Sequence, residues 1–134
     1  MRTISDILGS RKGTVISIGS TKSVHDALIQ MEKHNVSALL VMDEGKLIGI
    51  VSEKDYARKV ALQGRNSQET KVSDIMVEHD RILFATLKMT QQEAIVLMSE
   101  NQIRHLPVLD GKKKVVGVVS IRDFSFAADP EDEE

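Results

Sequence analysis

The sequence predicts an α/β (α+β) fold made of two pseudo-symmetric β-α-β-β-α units that pack through their sheets. Two observations lead to this fold class. An ordered set of segments in the first half of the 134-residue chain returns in the second half. Within each half, short apolar runs of strand length flank a stretch with apolar residues at helical spacing. Because one unit of this size buries little core by itself, we expect the two copies to pack together.

The internal repeat covers most of the chain and defines the predicted domains. Three segments of the first half return in order. Residues 4–8 correspond to 72–76, residues 36–43 correspond to 103–110, and residues 49–55 correspond to 117–123. The register slips by one residue between 110 and 117, where a turn can absorb an insertion. We therefore predict a first repeat with its lead-in segment at 1–70, a second repeat at 71–128, and an acidic disordered tail at 129–134.

Each repeat is predicted to open with a short strand and a helix. The strands lie at 15–18 and 82–85. Ser23 and Thr90 each stand three residues before an acid, which is the spacing of a helix N-cap pair. Apolar residues then recur at helical spacing and predict one buried stripe on each helix. Those residues are Val24, Ala27, Leu28 and Met31 in the first repeat, and Ala94, Leu97 and Met98 in the second.

A hairpin and a second helix complete each repeat. The predicted hairpin strands lie at 38–42, 47–51, 105–109 and 115–119. Their near-continuous apolar runs indicate strands that are covered on both faces. The connecting segments contain Asp, Gly and Lys, which are typical of hairpin turns. The second helix is expected to begin near Glu53 in the first repeat and near Ile121 in the second.

The composition limits the classes of function. Cysteine is absent, which excludes disulfides and thiolate metal sites and favours a cytoplasmic location. No apolar run approaches the roughly 20 residues of a membrane-spanning helix, and the first residues lack the apolar stretch of a secretory signal. Acidic residues crowd the C-terminal end, so the rest of the chain is mildly basic despite a net charge of −2. That balance suits an anionic small molecule better than a long nucleic acid.

Three features together resemble the cystathionine-β-synthase (CBS) domain family. They are the helix with Ala and Met in its stripe, the Ile-Arg-His-Leu-Pro-Val-Leu-Asp segment at 103–110, and the two Gly-x-x-Ser-x-x-Asp elements. The Val-Ser-Asp-Ile-Met segment at 72–76 resembles the lead-in strand of such domains. The resemblance spans about residues 3–127. It implies a tandem CBS pair, or Bateman module, with ligands such as AMP, ADP, ATP, NAD or S-adenosylmethionine in two clefts between the repeats.

The resemblance implies two sets of nucleotide-binding residues. In the family, the Asp of the repeated motif holds the ribose hydroxyls, its Ser lies near the ribose or phosphate, and the opposite repeat grips the adenine. The main cleft would comprise Ser120, Arg122, Asp123, Arg104, His105, Ile18, Lys22, Val36, Ser37 and Ala38. The second cleft would comprise Ser52, Lys54, Asp55, Arg58, Lys59, Ile103 and Pro107. No catalytic residue, catalytic cofactor or metal site is expected.

The Ser-x-x-Asp spacing also has a physical interpretation of its own. A Ser that closes a strand three residues before an Asp places both groups on the first turn of the next helix, whose free N–H groups favour anions. A carboxylate can accept two hydrogen bonds from the cis-diol of a ribose. The same spacing also occurs in an ordinary capping pair. Two copies at matching positions, each after a strand that contains Gly, favour the ligand interpretation.

The two clefts are not expected to be equivalent. The second repeat has Arg104 and His105 where the first has Ser37 and Ala38. Arg and His bring charge and hydrogen-bond donors to a phosphate, which Ser and Ala do not match. We therefore expect the cleft with Asp123 to be the better site for AMP. The alternative for His105 is a core histidine whose hydrogen bonds are satisfied within the protein.

A charged cluster follows the first Ser-x-x-Asp motif. On a helix, Asp55, Arg58 and Lys59 share one face. They form either solvated ion pairs or a site for a second phosphate, as ADP or NAD would need. Tyr56 beside them either stacks on a base or fills the core.

These features favour a regulatory function. The four histidines lack metal-ligand spacing, and no Cys nucleophile, Gly-x-Ser-x-Gly elbow or P-loop is present, so an enzyme is not expected. The favoured hypothesis is a stand-alone energy-sensing module that binds an adenine nucleotide, forms a homodimer away from membranes, and signals through self-association or to an unidentified regulated protein. The alternatives are a structural dimerisation module with vacant clefts and a nucleic-acid-binding protein.

Overall fold

The computed structural model describes residues 1–124, which contain four α-helices and seven β-strands. The helices are α1 (Ile4–Leu8), α2 (Val24–His34), α3 (Glu53–Tyr56) and α4 (Gln91–Asn101). The strands are β1 (Ser17–Ile18), β2 (Ala38–Asp43), β3 (Lys46–Ser52), β4 (Val77–Glu78), β5 (Ala85–Thr86), β6 (His105–Leu109) and β7 (Val115–Ser120). This architecture confirms the predicted mixed α/β fold class. The acidic tail predicted at 129–134 lies outside the described residues.

The chain divides into two compact units that do not coincide with the two sequence repeats. Within the described residues, the split unit combines residues 1–15 with residues 83–124, and the central unit comprises residues 16–82. The lead-in segment of the first repeat therefore belongs to the split unit, and that of the second repeat belongs to the central unit. The predicted boundary between residues 70 and 71 separates the two sequence repeats. The boundaries of the compact units differ from it because each lead-in segment packs with the main elements of the other repeat.

The central unit contains a four-stranded sheet in the order β1-β2-β3-β4. Strand β1 runs parallel to β2, and the β2–β3 and β3–β4 pairs are antiparallel. Its core includes the three members of the predicted α2 stripe that are fully buried, with Leu28 packed against them at the edge. The buried members are Val24, Ala27 and Met31. Strand β2 buries four successive residues, as expected for a strand covered on both faces.

The split unit contains a three-stranded sheet in the order β5-β6-β7, with the same parallel and antiparallel pairings. Ala94 and Met98 of α4 are buried in its core, and Leu97 is partly buried, so the second predicted stripe is also confirmed. The strands also contribute to this core, and so does the lead-in helix, where Ile4 and Leu8 are almost completely inaccessible. The apolar face of α1 is thus part of this core.

Both main helices begin at the predicted caps. The Ser23 hydroxyl accepts a hydrogen bond from the backbone N–H of Asp26 at 3.0 Å. Thr90 and Glu93 form a reciprocal capping box, in which each side chain accepts from the other residue's backbone N–H at 3.1 Å.

The lead-in segments are helical rather than extended, so the strand predicted at 72–76 is wrong. Val72–Asp74 forms a 3-10 turn, and the corresponding segment of the first repeat forms α1. The extended section follows as β4. Both segments nevertheless dock in the same way, because the Ile4 N–H donates to the Met89 carbonyl at 2.8 Å and the Val72 N–H donates to the Lys22 carbonyl at 2.9 Å. This docking ties each lead-in to the loop before a main helix.

The second predicted helix differs between the repeats. It begins at Glu53 as expected, and after α3 the chain continues as a π-helical turn, Ala57–Ala61. In the second repeat the described residues form a single 3-10 turn, Ile121–Asp123. The α-helix N-terminus that the sequence predicts beside Asp123 is therefore not present in the described part of the chain, where a 3-10 turn takes its place.

Candidate functional site

The repeated Gly-x-x-Ser-x-x-Asp motif begins with a glycine because the lead-in segment passes directly over it. A Cβ atom on Gly49 would lie 2.8 Å from the Val77 carbonyl oxygen, and one on Gly117 would lie 3.0 Å from Leu8 Cδ2. Each strand that carries the motif is thus covered by the lead-in segment of its own compact unit. The glycine serves close packing, and the Ser and Asp that follow determine the chemistry at the end of the strand.

The Ser and Asp of the motif form a reciprocal capping arrangement at the end of β7. The backbone N–H of Ser120 donates to Asp123 Oδ2 at 2.8 Å, which fixes the orientation of the carboxylate. About a quarter of the Asp123 side chain is exposed. Ser120 and Asp123 therefore form the capping pair that the spacing of the motif also predicted. The second carboxylate oxygen, Oδ1, does not take part in this cap and can accept further hydrogen bonds.

A cation that the sequence did not single out lies beside that oxygen. Arg11 Nη2 is 3.4 Å from Asp123 Oδ1, and 48% of the Arg11 side chain is exposed. Arg11 belongs to the turn after α1, so it reaches Asp123 only because the lead-in segment packs along β7. The repeat pattern could not have indicated this contact, because the two residues are 112 positions apart in the chain.

His105 and Arg104 lie at the same end of the sheet as Ser120. His105 is the register partner of Ser120 across the β6–β7 pair, so the two side chains project from the same face of the sheet. His105 is partly buried, and Arg104 is exposed while its carbonyl accepts from the Ile121 N–H at 2.9 Å. The structure thus brings together four of the predicted residues with the unpredicted Arg11. Arg122, the fifth, is exposed on the same 3-10 turn.

The corresponding motif in the central unit is more enclosed. Asp55 Oδ2 accepts from the Ser52 N–H at 2.9 Å and from the Ser52 hydroxyl at 3.0 Å. Lys59 Nζ lies 3.1 Å from Asp55 Oδ1 and also donates to the Ile75 carbonyl at 2.8 Å. Only 12% of the Asp55 side chain is exposed. The position opposite Ser52 in the register is Ala38, which supplies no polar side chain.

In the charged cluster after this motif, Asp55 and Lys59 form an ion pair whose carboxylate is buried, and a role of the cluster in holding a second phosphate stays a prediction. Lys59 is engaged by Asp55 and by the carbonyl of Ile75, and nearly half of its side chain remains exposed. Lys54 and Arg58 are exposed, and Tyr56 packs partly against the central core. The packing alternative for Tyr56 is thus the one the structure supports.

The remaining predicted residues have mixed surroundings. In the central unit, Ile18 and Ala38 are buried, Val36 and Ser37 are partly buried, and Lys22 is exposed. In the split unit, Pro107 is buried within β6, and Ile103 packs against the core. The sequence assigned the five central-unit residues to the main cleft, and it assigned Ile103 and Pro107 to the second cleft. Their role in ligand binding stays a prediction.

A second carboxylate pair illustrates how repeat positions diverge. The Ser20 hydroxyl and the backbone N–H of Ser20 donate to Asp43, and these bonds hold the pKa of Asp43 below its ordinary value. The corresponding Asp110 instead accepts from the backbone N–H groups of Lys114 and Lys112, which lower its pKa in the same direction. The repeat position of Ser20 is occupied by Leu87 in the second repeat. Asp43 therefore connects the end of β2 to the loop before α2, whereas Asp110 accepts hydrogen bonds from the turn that follows it.

Two kinds of site receive no support from residues 1–124. No group of His, Asp and Glu side chains in this range is arranged to hold a metal ion. Among the helices within the same range, none combines the length and apolar character needed to cross a membrane.

Comparisons with known proteins agree with this architecture. A family model described as the CBS domain matches the chain twice, at residues 4–62 and 72–129. The mitochondrial CBS domain-containing protein CBSX3 of Arabidopsis thaliana is 41% identical over 128 residues, which cover 90% of this chain and 62% of the plant protein. The crystal structure of the CBS domain NE2398 is 38% identical with a TM-score of 0.82, and the match covers 91% of this chain and 93% of that chain.

A third relative was solved with ligands. The CBS domain pair of protein MJ0100, in complex with 5′-methylthioadenosine and S-adenosyl-L-methionine, is 28% identical with a TM-score of 0.77, and the match covers 92% of each chain. With the family model matching both halves of the sequence, the chain belongs to the CBS-domain family and carries the domain twice.

Proposed function

We propose that this chain is a regulatory module that binds an adenine nucleotide, such as AMP, ADP, ATP or NAD, with the carboxylate of Asp123 holding the ribose. The observation that carries the proposal is the state of this carboxylate. One oxygen is fixed by the Ser120 N–H at 2.8 Å, the other lies 3.4 Å from Arg11 Nη2, and a quarter of the side chain is exposed. A carboxylate that is held in one orientation and still has a free lone pair is suited to a ribose diol.

The surroundings of Asp123 favour a ligand that also carries negative charge. Arg11 lies beside the carboxylate, and His105 is opposite Ser120 in the β6–β7 register. Two exposed arginines are next to these residues in the chain, Arg122 before Asp123 and Arg104 before His105. Such an arrangement of donors suits a phosphate, and arginine in particular binds phosphate oxygens in a bidentate manner. The relative that was solved with two adenosine-containing ligands supports adenosine as the common part.

The proposal also includes a preference between the two motifs. Asp55 is half as exposed as Asp123, and its Oδ1 is engaged by Lys59, which is itself held by the Ile75 carbonyl. A ligand at Asp55 would have to displace a cation that has two partners. We therefore propose that the Asp123 site is occupied at lower nucleotide concentration than the Asp55 site.

Calorimetric titration with AMP, ADP, ATP, NAD and S-adenosylmethionine tests the proposal. Asp123→Asn removes the charge while an amide oxygen can still accept from Ser120, so the cap is retained. We expect this change to weaken nucleotide binding by about tenfold to a hundredfold, the range for a hydrogen bond to a charged group. Asp55→Asn should reduce the second, weaker binding event. A matched control is Asp74→Asn, since Asp74 is an exposed acid paired with Arg65 at 3.6 Å in the central unit.

Thermal denaturation gives an independent readout. A ligand at about 100 times its dissociation constant should stabilise the wild-type chain by roughly 2.7 kcal/mol. Absence of stabilisation by every nucleotide would overturn the proposed function. If binding persists unchanged in both Asp123→Asn and Asp55→Asn, the function stands and the assignment of the ribose site fails.

Self-association is a second candidate function, and it is favoured by one observation. Ile29 on α2 and Val96 on α4 occupy equivalent positions in the two repeats and are 49% and 47% exposed. We propose that these helix faces mediate pairing with a second copy. Ile29→Lys and Val96→Lys should then reduce the sedimenting mass, whereas Leu62→Lys, at an apolar residue with 78% exposure, should leave it unchanged. A wild-type chain that sediments as a monomer would refute this candidate.

A further inference from the structure

Arg11 is held beside Asp123 by the packing of the lead-in segment. Leu8 lies over Gly117, and the Gly13 N–H donates to the Val116 carbonyl at 2.8 Å, so the segment is attached to β7 on both sides of Arg11. The neighbouring cation points elsewhere, since Lys12 Nζ donates to the Ser5 hydroxyl at 2.7 Å. Of these two adjacent basic residues, Arg11 is the one whose charge is directed to the proposed ribose carboxylate.

Among residues 1–124, the ion pair with Asp123 leaves most of the Arg11 guanidinium available. An arginine side chain has five N–H donors, and the pair engages the Nη2 end. Exposed ion pairs of this kind contribute little to stability, so a ligand can redirect the guanidinium at small cost. The same carboxylate and guanidinium can therefore meet a ligand that offers both hydroxyl donors and an anionic acceptor.

Competition for these two groups distinguishes classes of adenosine ligand. A ribose diol that donates to Asp123 Oδ1 shares this oxygen with Arg11, which weakens the interaction of the guanidinium with the carboxylate. A 5′-phosphate compensates that loss because it supplies acceptor oxygens to Arg11. A neutral nucleoside does not, and an adenosine that carries a sulfonium cation places like charge near the guanidinium.

We infer that Arg11 is a specificity-determining residue of the Asp123 site, which binds the 5′-phosphate and selects phosphorylated nucleosides over neutral or cationic adenosine ligands. The inference rests on the proposed function and narrows its ligand class. The central unit offers a contrast, because Lys59 is already shared between Asp55 and the Ile75 carbonyl. This selection is therefore a property of the split unit.

Titration of AMP, adenosine and S-adenosylmethionine into the wild-type chain and Arg11→Gln tests the inference. Arg11→Gln should weaken AMP binding by about tenfold, consistent with loss of a partly exposed charge-assisted hydrogen bond. It should change adenosine binding by less than about twofold, within the ordinary effect of an exposed substitution. S-adenosylmethionine should bind at least as well to the variant as to the wild type. Arg11→Lys should recover part of the AMP affinity, because it keeps the charge and loses the planar fork.

Two control variants separate specificity from general charge. Lys12→Gln removes an adjacent positive charge in the same segment, and Arg65→Gln removes a similarly exposed arginine that pairs with Asp74. Both should leave the ratio of AMP to adenosine affinity unchanged. The inference is overturned if Arg11→Gln weakens AMP and adenosine equally, or if it leaves AMP binding intact. A wild-type chain that binds none of AMP, ADP, ATP, NAD, adenosine and S-adenosylmethionine would instead refute the proposed function.

Discussion

The close approach of Met76 and Val77 to Gly49 makes Gly49→Ala the most direct test of how the lead-in segment is packed. The added Cβ would lie 2.6 Å from Met76 Sδ and 2.8 Å from the Val77 carbonyl oxygen, whereas ordinary contact begins near 3.4 Å. The Met76 side chain can rotate away. The carbonyl cannot move alone, because Val77 is paired with Ile50 in the β3–β4 ladder.

The expected cost follows from this difference between side chain and backbone. Either β4 shifts outward and weakens its pairing with β3, or the new methyl group stays compressed. Overpacking of this kind typically lowers the free energy of unfolding by about 1–3 kcal/mol, and we expect about 2 kcal/mol for Gly49→Ala. For a chain of this size, that corresponds to a fall in Tm of about 8 °C. At the equivalent Gly117, the methyl would meet only the flexible end of Leu8 at 3.0 and 3.3 Å, so we expect about 1 kcal/mol.

Urea denaturation followed by far-ultraviolet circular dichroism measures these differences. The control is Gly111→Ala, because a Cβ there meets nothing within 4 Å, and its effect should stay within about 0.5 kcal/mol. The predicted order of destabilisation is Gly49→Ala, then Gly117→Ala, then Gly111→Ala. The reasoning is refuted if Gly49→Ala is as stable as Gly111→Ala, or if Gly117→Ala is the most destabilised of the three.

Three further changes test local features of the fold by denaturation. Asp43→Asn should lower the free energy of unfolding at neutral pH. The pKa of Asp43 is depressed in the folded state, so its ionised form stabilises that state at pH values above the ordinary pKa of 3.8. That difference should shrink as the pH falls through the depressed pKa, and a constant difference down to pH 2 would contradict the assignment. Thr90→Ala should cost about 1 kcal/mol through loss of the capping box, whereas Thr90→Ser should retain most of it. Lys113→Gly should stabilise the chain by about 0.5 kcal/mol, because Lys113 has a φ of 64°; a loss of stability would show that its side chain contributes more than the strain costs.

The sequence by itself determined the elements whose signals are local or repeated. The caps at Ser23 and Thr90 depend on residues three positions apart, and the stripe that includes Ala94 and Met98 depends on helical spacing, so both could be predicted. The repetition of the Gly-x-x-Ser-x-x-Asp motif identified the ends of β3 and β7 as the place to look for a site. It could not distinguish capping from ligand binding, because the same bond from the Ser120 N–H to Asp123 serves both.

Only the tertiary structure decided which residues stand beside that motif. The lead-in segment of each repeat joins the compact unit formed with the other repeat's main elements, and this explains why the motif needs Gly49 and Gly117. The same packing brings Arg11 to Asp123, while the matching Asp55 takes its cation from Lys59 four residues away. A pair close in sequence is constrained by helical geometry and can be read from spacing. A pair separated by most of the chain is set by how buried side chains such as Leu8 pack, and no local pattern carries that information.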